Sequence, residues 1–277
     1  MTDDRAAREW QAAAAGWRRW EPAIASLAWP LALRMAAVSE VGPGKRVLDV
    51  GCGIGDPTLQ VAVLVGPHGR VVGVDLADAM LATARERAAA LGIAHVEFVA
   101  GDVATMPLPG NSFDVVLGRW SVIYVADVVA TLARLRDTLV SGGRIAIAAW
   151  APPEANPWIG IPLDALRAEG VAVDVDPSRP GIFQCSEDGA LARALLRAGF
   201  QAVDQERVRL SYFAPDVDEF WRMLTDVTGG PLAPLVEGMD ATRVAAVARR
   251  VAQGLAPHRA GDVLRVPAQA QLAWGRA

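Results

Sequence analysis

The sequence predicts an α/β chain built on a doubly wound parallel sheet, with added helical segments placed to cap it. Three observations carry that prediction. From Arg46 onward, short apolar runs alternate with helical segments, the pattern of parallel strands buried on both faces and joined by crossover helices. Right-handed crossovers turn such a unit into a doubly wound sheet. The first run, Val47 to Val50, leads straight into a glycine turn, Gly51-Cys52-Gly53-Ile54-Gly55. Finally, 277 residues that are 52% apolar suffice for one large core with additions.

Taken in order, Trp10, Trp17, Trp20 and Ile24 recur at helical spacing, and Pro22 and Pro30 divide this region into two helices or a kinked pair. Val41-Gly42-Pro43-Gly44 is a turn. Strands are expected at 47–50, 71–75, 96–99, 115–117 and 145–150, with helices at 57–65, 77–91 and 125–139. A proline-rich, loop-rich stretch runs from 151 to about 186, followed by a helix at 187–199 and an edge-type strand at 200–213. A helical insertion at 214–257 opens on Pro215-Asp216 and breaks at Gly229-Gly230-Pro231. A last strand is expected at 263–274. The reading is one domain, 1–277: an N-terminal helical cap (1–42), a core (43–150), substrate-cap insertions (151–186 and 214–261) and the rest of the core (187–213 and 262–277). The three added segments are expected to roof a pocket, because they connect to the carboxyl ends of the strands.

Composition excludes several classes. A net charge of -4 and an isoelectric point near 5.5 lack the basic footprint of a nucleic-acid binder. Cys52 and Cys185 are too few for a disulfide framework or a zinc cluster. The N-terminus starts acidic without an apolar signal core, and the apolar stretch 22–33 is too short to span a bilayer. The expectation is a soluble, cytoplasmic protein without a membrane or nucleic-acid partner, its oligomeric state left open.

The glycine turn alone fits an ordinary strand-to-helix connection, with Asp56 available to cap the next helix. Its surroundings are more informative. Asp75 ends the second strand, where a carboxylate accepts hydrogen bonds from both hydroxyls of a ribose. Asp102 follows the third strand, where it can accept from an adenine amine while the Val103 amide donates to a ring nitrogen. Asp49, inside a buried strand, needs partners: a ligand amino group or the backbone amides of the glycine turn. A dinucleotide site has its third glycine one residue later and receives a pyrophosphate on the helix N-terminus. Here the order is G-x-G-x-G, preceded by Asp49 and joined by Asp102. That set departs from the dinucleotide pattern.

VLDVGCGIG, VVGVDLADAML, VAGDVATMPLPGNSFDVVL and LRDTLVSGGRIAIAAW together resemble the motifs of class I S-adenosylmethionine-dependent methyltransferases. The nearest set is the type 11 subgroup, similar to ubiquinone/menaquinone C-methyltransferases, and the resemblance covers about residues 43–150. It implies a Rossmann-like seven-stranded sheet with the last strand antiparallel, S-adenosylmethionine as cofactor and S-adenosylhomocysteine as product. By the same resemblance Gly51 and Gly53 pack on the methionine part, Asp75 with Leu76 beside it meets the ribose, and Asp102 and Val103 meet the adenine. Arg119, ending the fourth strand, falls near the cofactor's amino-acid end; an arginine there can equally pair with Asp127 or Glu154.

Methyl transfer from a sulfonium is an in-line displacement on an activated carbon, so positioning supplies much of the rate. A base is needed only when the nucleophile must lose a proton. His68 and His95 are expected at the amino edge of the sheet. His258 is the only histidine placed to be a catalytic base, the alternative being a solvated loop after Pro257. Trp120 and Trp158 are candidates for an apolar substrate wall. Tyr124 either faces the substrate or packs in the core, and Glu154 either orients a donor or is a surface charge. The N-P-P-[FY] signature of amino-group methyltransferases is replaced by GRWS, and no acidic triad suggests a magnesium site, so no metal is expected. The expected function is methyl transfer to an oxygen or carbon of a small, fairly apolar secondary-metabolite or quinone-like molecule. The alternatives are a methyltransferase-like protein that keeps the cofactor but catalyses a cyclisation or rearrangement, and a non-catalytic binding protein.

Overall fold

A computed structural model describes residues 4–173, 175–227, 232–236 and 238–277. The chain opens with α1 (Asp4–Arg19) and α2 (Glu21–Val38). The division falls at Trp20, and Pro22 sits in the first turn of α2, where its missing N–H has no intrahelical partner to lose. Ile24, Leu27, Leu31 and Met35 form the buried stripe of α2, which packs on the sheet formed by the later strands.

Five parallel strands follow: β1 (Arg46–Val50), β2 (Arg70–Asp75), β3 (Val96–Ala100), β4 (Phe113–Arg119) and β5 (Leu139–Trp150). Then come β6 (Gln201–Ala214), a two-residue β7 (Arg259–Ala260) and β8 (Val263–Arg276). The order is β3-β2-β1-β4-β5-β8-β6, with β8 antiparallel to both neighbours. This is the expected seven-stranded sheet with its last strand antiparallel, plus the short β7, which folds back on the start of β8. The strand order reverses between β1 and β4, the place where such sheets receive ligands. Leu272 and Ala273, successive in β8 and so on opposite faces, are both fully buried, so helices cover the sheet on both sides.

The crossover helices are α3 (Thr58–Val65), α4 (Asp78–Ala90) and α5 (Val128–Thr138). After β5 the expected loop-rich stretch contains a regular helix, α6 (Pro157–Ala168). Its prolines argued for loop, yet Pro157 occupies the first turn, and Trp158, Ile159, Leu163 and Leu166 bury one helical stripe. α7 (Ala190–Arg197) precedes β6; α8 (Val217–Val227), α9 (Ala233–Val236) and α10 (Ala241–Leu255) follow it. The break expected at Gly229-Gly230-Pro231 lies outside the described residues. No described helix is long and apolar enough to cross a membrane.

One feature of the register positions the site. β8 pairs with β5 only from Ala270, opposite Trp150, to Arg276. Its first half, from Val263, continues beyond the end of β5 and pairs with the last part of β6. A two-stranded ribbon therefore overhangs the carboxyl edge of the sheet by about 20 Å, at about 3.4 Å per residue. Leu210, Tyr212 and Ala214 on β6, with Leu264, Val266 and Ala268 on β8, face inward, while Arg209, Phe213, Arg265 and Pro267 face out. α8 packs on β6 and α6 on β8, and α10 packs behind both helices. Val247, Val251 and Leu255 of α10, one helical stripe, are fully buried and contribute about 1.5–3 kcal/mol each.

Candidate functional site

The carboxyl ends of β1 and β4 carry the polar half of the site. Gly51, Gly53 and Gly55 all have positive φ, which makes the turn sharp enough to run directly from β1 into α3. The Gly51 and Cys52 amides both donate to the Val74 carbonyl, at 2.7 and 3.0 Å. A Cβ on Gly51 would stand 2.3 Å from that of Ser121, whereas one on Gly53 would meet nothing within 4 Å. Gly51 is therefore a packing glycine, and Gly53 borders open space.

Asp75, half-buried at the end of β2, accepts from the Gly53 amide at 2.8 Å and the Ala77 amide at 3.0 Å. Burial raises its pKa, while the amides of Ala77, Gly53 and Leu76 act in the opposite direction. Each carboxylate oxygen keeps acceptor capacity beyond these bonds. Asp102 folds its own turn, accepting from the Ala104 amide at 2.9 Å and the Thr105 hydroxyl at 3.3 Å. Leu76 and Val103 are half-buried beside these acids. The Val103 amide donates to no described residue.

Asp49 is fully buried. The amides of the glycine turn do not reach it, because those of Gly51, Cys52 and Gly53 already serve Val74 and Asp75. Its partner is the hydroxyl of Thr58, first residue of α3, which donates to Oδ2 at 2.5 Å, while Oδ1 has no partner. Burial pushes its pKa up to about 7, against the Thr58 hydrogen bond and the charge of Arg119.

Asp56 does not cap α3: Pro57 holds the N-cap position, with no side-chain hydrogen bond. Asp56 instead pairs with Arg119, whose Nη1 lies 3.3 Å from its carboxylate, both side chains being buried. Nη2 of Arg119 donates to the Asp56 backbone carbonyl at 2.6 Å. Neither partner expected for Arg119 is used. Asp127 caps α5 through the Ala130 amide at 2.9 Å, and Glu154 is exposed in a 3-10 turn. Arg87 was not legible as a site residue. It donates to the Ile54 carbonyl at 2.7 Å and to Glu21 at 2.6 Å, tying the glycine turn to α2.

An aromatic wall begins where this polar set ends. Arg119 lies over the Trp120 ring at 5.0 Å, and Trp120 stacks on Trp150 at 4.1 Å with an 11° interplanar angle. Trp150 meets Trp158 at 4.8 Å, Trp158 meets Tyr212 at 5.0 Å, and Tyr212 meets Phe220 of α8 edge-on at 5.8 Å. Trp158 is almost wholly buried, and its N–H is held by Asn156 at 2.9 Å. Asn156 also bonds the Ala151 carbonyl and both backbone groups of Gln269, fixing the exit of β5 against β8. Tyr124, half-buried in the 3-10 turn after β4, meets Trp10 of α1 edge-on at 5.1 Å.

α1 joins the two halves. Ala13 and Ala14 pack with Ile54, Ala77 and Met80 around the glycine turn and the end of β2. On the α8 side, Trp17 donates to the Val227 carbonyl and the Trp20 N–H to Asp226, each at 2.8 Å. Three buried polar atoms without a partner gather at this junction, Asp49 Oδ1, Trp120 Nε1 and Ser121 Oγ, beside Arg119 Nη1, whose one contact is its ion pair with Asp56. Buried polar atoms are ordinarily satisfied, so such a cluster marks a place built for a ligand.

The histidines lie elsewhere. His68 is exposed before β2, and His95 bonds the Ala62 carbonyl at 2.8 Å before β3, both at the amino edge. His258, half-buried, ends a 3-10 turn just before β7. Arg259 pairs with Leu264, so His258 is at the ribbon's outer tip, about 20 Å along the strand from the level of Trp150. Tyr212 and Phe220 were missed from the sequence. Tyr212 sits in the alternation of Leu210, Tyr212 and Ala214, which reads as an ordinary edge strand until the overhang is known.

The family described as "Methyltransferase domain" matches residues 42–164. The nocamycin O-methyltransferase of Saccharothrix syringae is 32% identical over 84% of this chain and 85% of its own length. The aklanonic acid methyltransferase DauC of Streptomyces sp. strain C5 is 39% identical over 47% of this chain, which spans 63% of that relative's length. Among solved structures, the [4+2]-cyclase SpnF superposes with a TM-score of 0.56 at 22% identity, covering 94% of this chain and 93% of that one, a likeness of fold. The strand order, the glycine turn with its flanking acids and the full-length relationship lead to one assignment: this chain belongs to the S-adenosylmethionine-dependent methyltransferases.

Proposed function

We propose that this chain transfers the methyl group of S-adenosylmethionine to an oxygen or carbon of a small, largely apolar acceptor of the polyketide or quinone kind. The observation that carries the proposal is the junction at Arg119-Trp120, where a carboxylate-lined nucleoside cradle abuts an aromatic wall. Two relatives named for aklanonic acid and nocamycin support the acceptor class. Both cysteines are free, in keeping with a reducing cytoplasm.

The residues fit the cofactor. Asp75 would hold the ribose hydroxyls, with Leu76 beside it, and Asp102 with the free amide of Val103 would bracket the adenine. The unpartnered Asp49 Oδ1 suits an ammonium group, and Arg119, already paired with Asp56, would lend its remaining donor capacity to a carboxylate. Gly53, where a Cβ would meet nothing within 4 Å, leaves room in which the methionine part would lie, while Gly51 lets the turn close on Ser121. When bound, S-adenosylmethionine supplies a methyl carbon already activated by its sulfonium. The chain's own contribution is orientation and exclusion of water. Trp120 and Tyr124 would set the acceptor's plane, Trp158 would buttress the wall from behind, and α1, α8 and α10 would close over it.

Incubation with methyl-tritiated S-adenosylmethionine and a panel of hydroxyquinones and polyketides tests the reading. Label is expected in an extractable product. A product formed with the label left on the cofactor would instead establish a cyclisation or rearrangement. Thermal shifts add a check on the cofactor: S-adenosylhomocysteine at a hundredfold excess over its dissociation constant stabilises by about 2.7 kcal/mol, whereas NAD is expected to do nothing.

A further inference from the structure

The Arg119 side chain touches both halves of the site. Its guanidinium meets Asp56, the residue after the glycine turn, with Nη2 donating to the backbone carbonyl at 2.6 Å and Nη1 standing 3.3 Å from the carboxylate. Its Cζ lies 5.0 Å from the centre of the Trp120 ring, which stacks on Trp150. Consecutive residues of a strand point to opposite faces, so neighbours such as Arg119 and Trp120 ordinarily stay apart. They meet here because Trp120 turns into the left-handed region, with φ at +55°, while its amide still donates to the Ala148 carbonyl at 3.0 Å. That conformation is strained for a bulky residue, and such strain persists only where the surroundings hold it.

Stability alone does not account for the pair with Asp56. Both side chains are almost wholly buried. Two charges taken out of water recover little net free energy, and an apolar pair of the same volume often serves a core as well. The pairing is also incomplete. A guanidinium carries five N–H donors, yet Arg119 makes one hydrogen bond among the described residues, and its buried Nη1 has an ionic contact only. Asp56 thus fixes where the cation lies without saturating it. The capacity left over suits an anion that arrives beside the glycine turn.

We propose that Asp56 is a positioning residue: it holds the Arg119 guanidinium against the Trp120 ring, so that the cofactor's carboxylate and an aromatic acceptor bind cooperatively through one cation. This rests on the methyl-transfer reading above and adds an order of events to it. A carboxylate that engages Arg119 stiffens the first plate of the wall, so an aromatic acceptor binds the cofactor-loaded chain better than the empty one. The coupling is reciprocal, and a bound acceptor tightens the cofactor by the same factor.

Two nucleosides separate this role from general support of the cradle: S-adenosylhomocysteine, and 5′-methylthioadenosine, which shares the adenosine and the sulfur but lacks the amino-acid end. Calorimetry on the intact chain gives their affinities. Quenching of tryptophan fluorescence gives the affinity of an aromatic probe, 2-acetylnaphthalene, with each nucleoside present. In the wild-type chain S-adenosylhomocysteine should tighten the probe about fivefold, and methylthioadenosine less than about twofold. Asp56→Asn should weaken S-adenosylhomocysteine about tenfold, spare methylthioadenosine within about twofold, and abolish the coupling to the probe. Arg119→Gln should do the same, and the double substitution no more than either alone, because Asp56 acts through Arg119. The double variant leaves no unpaired buried charge, so it carries the test if a single variant fails to fold. Equal loss of both nucleosides in Asp56→Asn would make the pair a prop of the glycine turn and overturn the proposal. Additive losses in the double variant, or a wild-type chain whose probe affinity ignores S-adenosylhomocysteine, would overturn it as well. Turnover plays no part, so the coupling without methyl transfer would sink the functional reading and leave the role of Asp56 standing.

Discussion

The proposed cofactor half and the proposed acceptor half of this molecule are built on different principles. The first places its chemistry at the ends of successive strands: Asp49 and the glycine turn on β1, Asp75 on β2, Asp102 after β3. Each group there is held by backbone amides or a neighbour close in sequence, as Asp75 is by Gly53 and Ala77. The second draws Trp120, Trp150, Trp158, Tyr212 and Phe220 from five separate elements and holds them by stacking. The difference teaches that local geometry is enough to place the strand-end acids, while the aromatic wall is made by register and long-range packing.

Substitution at Asp75 should break the first half alone, and it carries the largest expected effect. On the proposed ribose role, Asp75→Ala removes a charged acceptor for two hydroxyls and should weaken S-adenosylmethionine binding by about 1.5–3 kcal/mol or more, measured by calorimetry. Asp114→Ala is the control. Asp114 pairs with Arg46 at the amino edge, which helps hold its pKa below the usual carboxylate range, so its loss should lower stability and spare cofactor affinity. Equal cofactor affinity in wild type and Asp75→Ala would remove the ribose role.

What was legible in the sequence follows the same divide. The positions of Asp75 and Asp102 at strand ends were readable because a buried strand followed by a turn residue fixes where that residue lies, whereas the antiparallel last strand came only from the resemblance of the motifs. Arg119 was found, but not its partner Asp56, because the pairing depends on how the glycine turn bends back over β4. The α6 helix was hidden by prolines that start helices as readily as they end them. Tyr212 was invisible for a different reason. Its alternation fits any edge strand, and only the pairing of Ala270 with Trp150 shows that β6 and β8 continue past the sheet.

Asp49 offers a pH-dependent test of the first half. Burial raises its pKa from 3.8 to about 7. The folded state therefore keeps a proton that the unfolded state has lost, and stability falls as pH rises from about 4 to 7. Asp49→Asn should abolish that slope, leaving the variant as stable as wild type at pH 4 and more stable at pH 8. Cofactor binding should run the other way. An ammonium group favours the carboxylate, so affinity should rise as pH climbs toward 7, by up to about tenfold per unit, and the variant should lose this dependence. A cofactor affinity flat from pH 5.5 to 7 in wild type would exclude Asp49 as the ammonium partner.

The link between the halves is tested at Gly16. A Cβ there would fall 2.0 Å from the Asp226 carbonyl oxygen, so Gly16→Ala must push α1 away from α8, although alanine is the better helix former. Turnover should fall by about tenfold because the cover admits water, while cofactor affinity changes by less than about threefold. The reverse pattern, cofactor affinity lost and turnover of saturated enzyme kept, would assign α1 to the cofactor half alone.

The smallest expected effect is at His258. Loss of a general base ordinarily costs about a hundredfold to ten-thousandfold in rate, and it removes a limb of the pH profile. His258 ends the turn before β7, and Arg259 pairs with Leu264 at the outer end of the ribbon. Trp150, by contrast, pairs with Ala270 at the edge of the sheet. A base must come within hydrogen-bond reach of the proton it removes, and a span of about 20 Å along β8 prevents that unless the ribbon folds back. His258→Ala should accordingly leave kcat/KM within about twofold of wild type from pH 6 to 8, with an unchanged profile. A hundredfold loss in His258→Ala, with a lost acidic limb, would mean that the ribbon closes over the acceptor during turnover and that the wall extends to its tip.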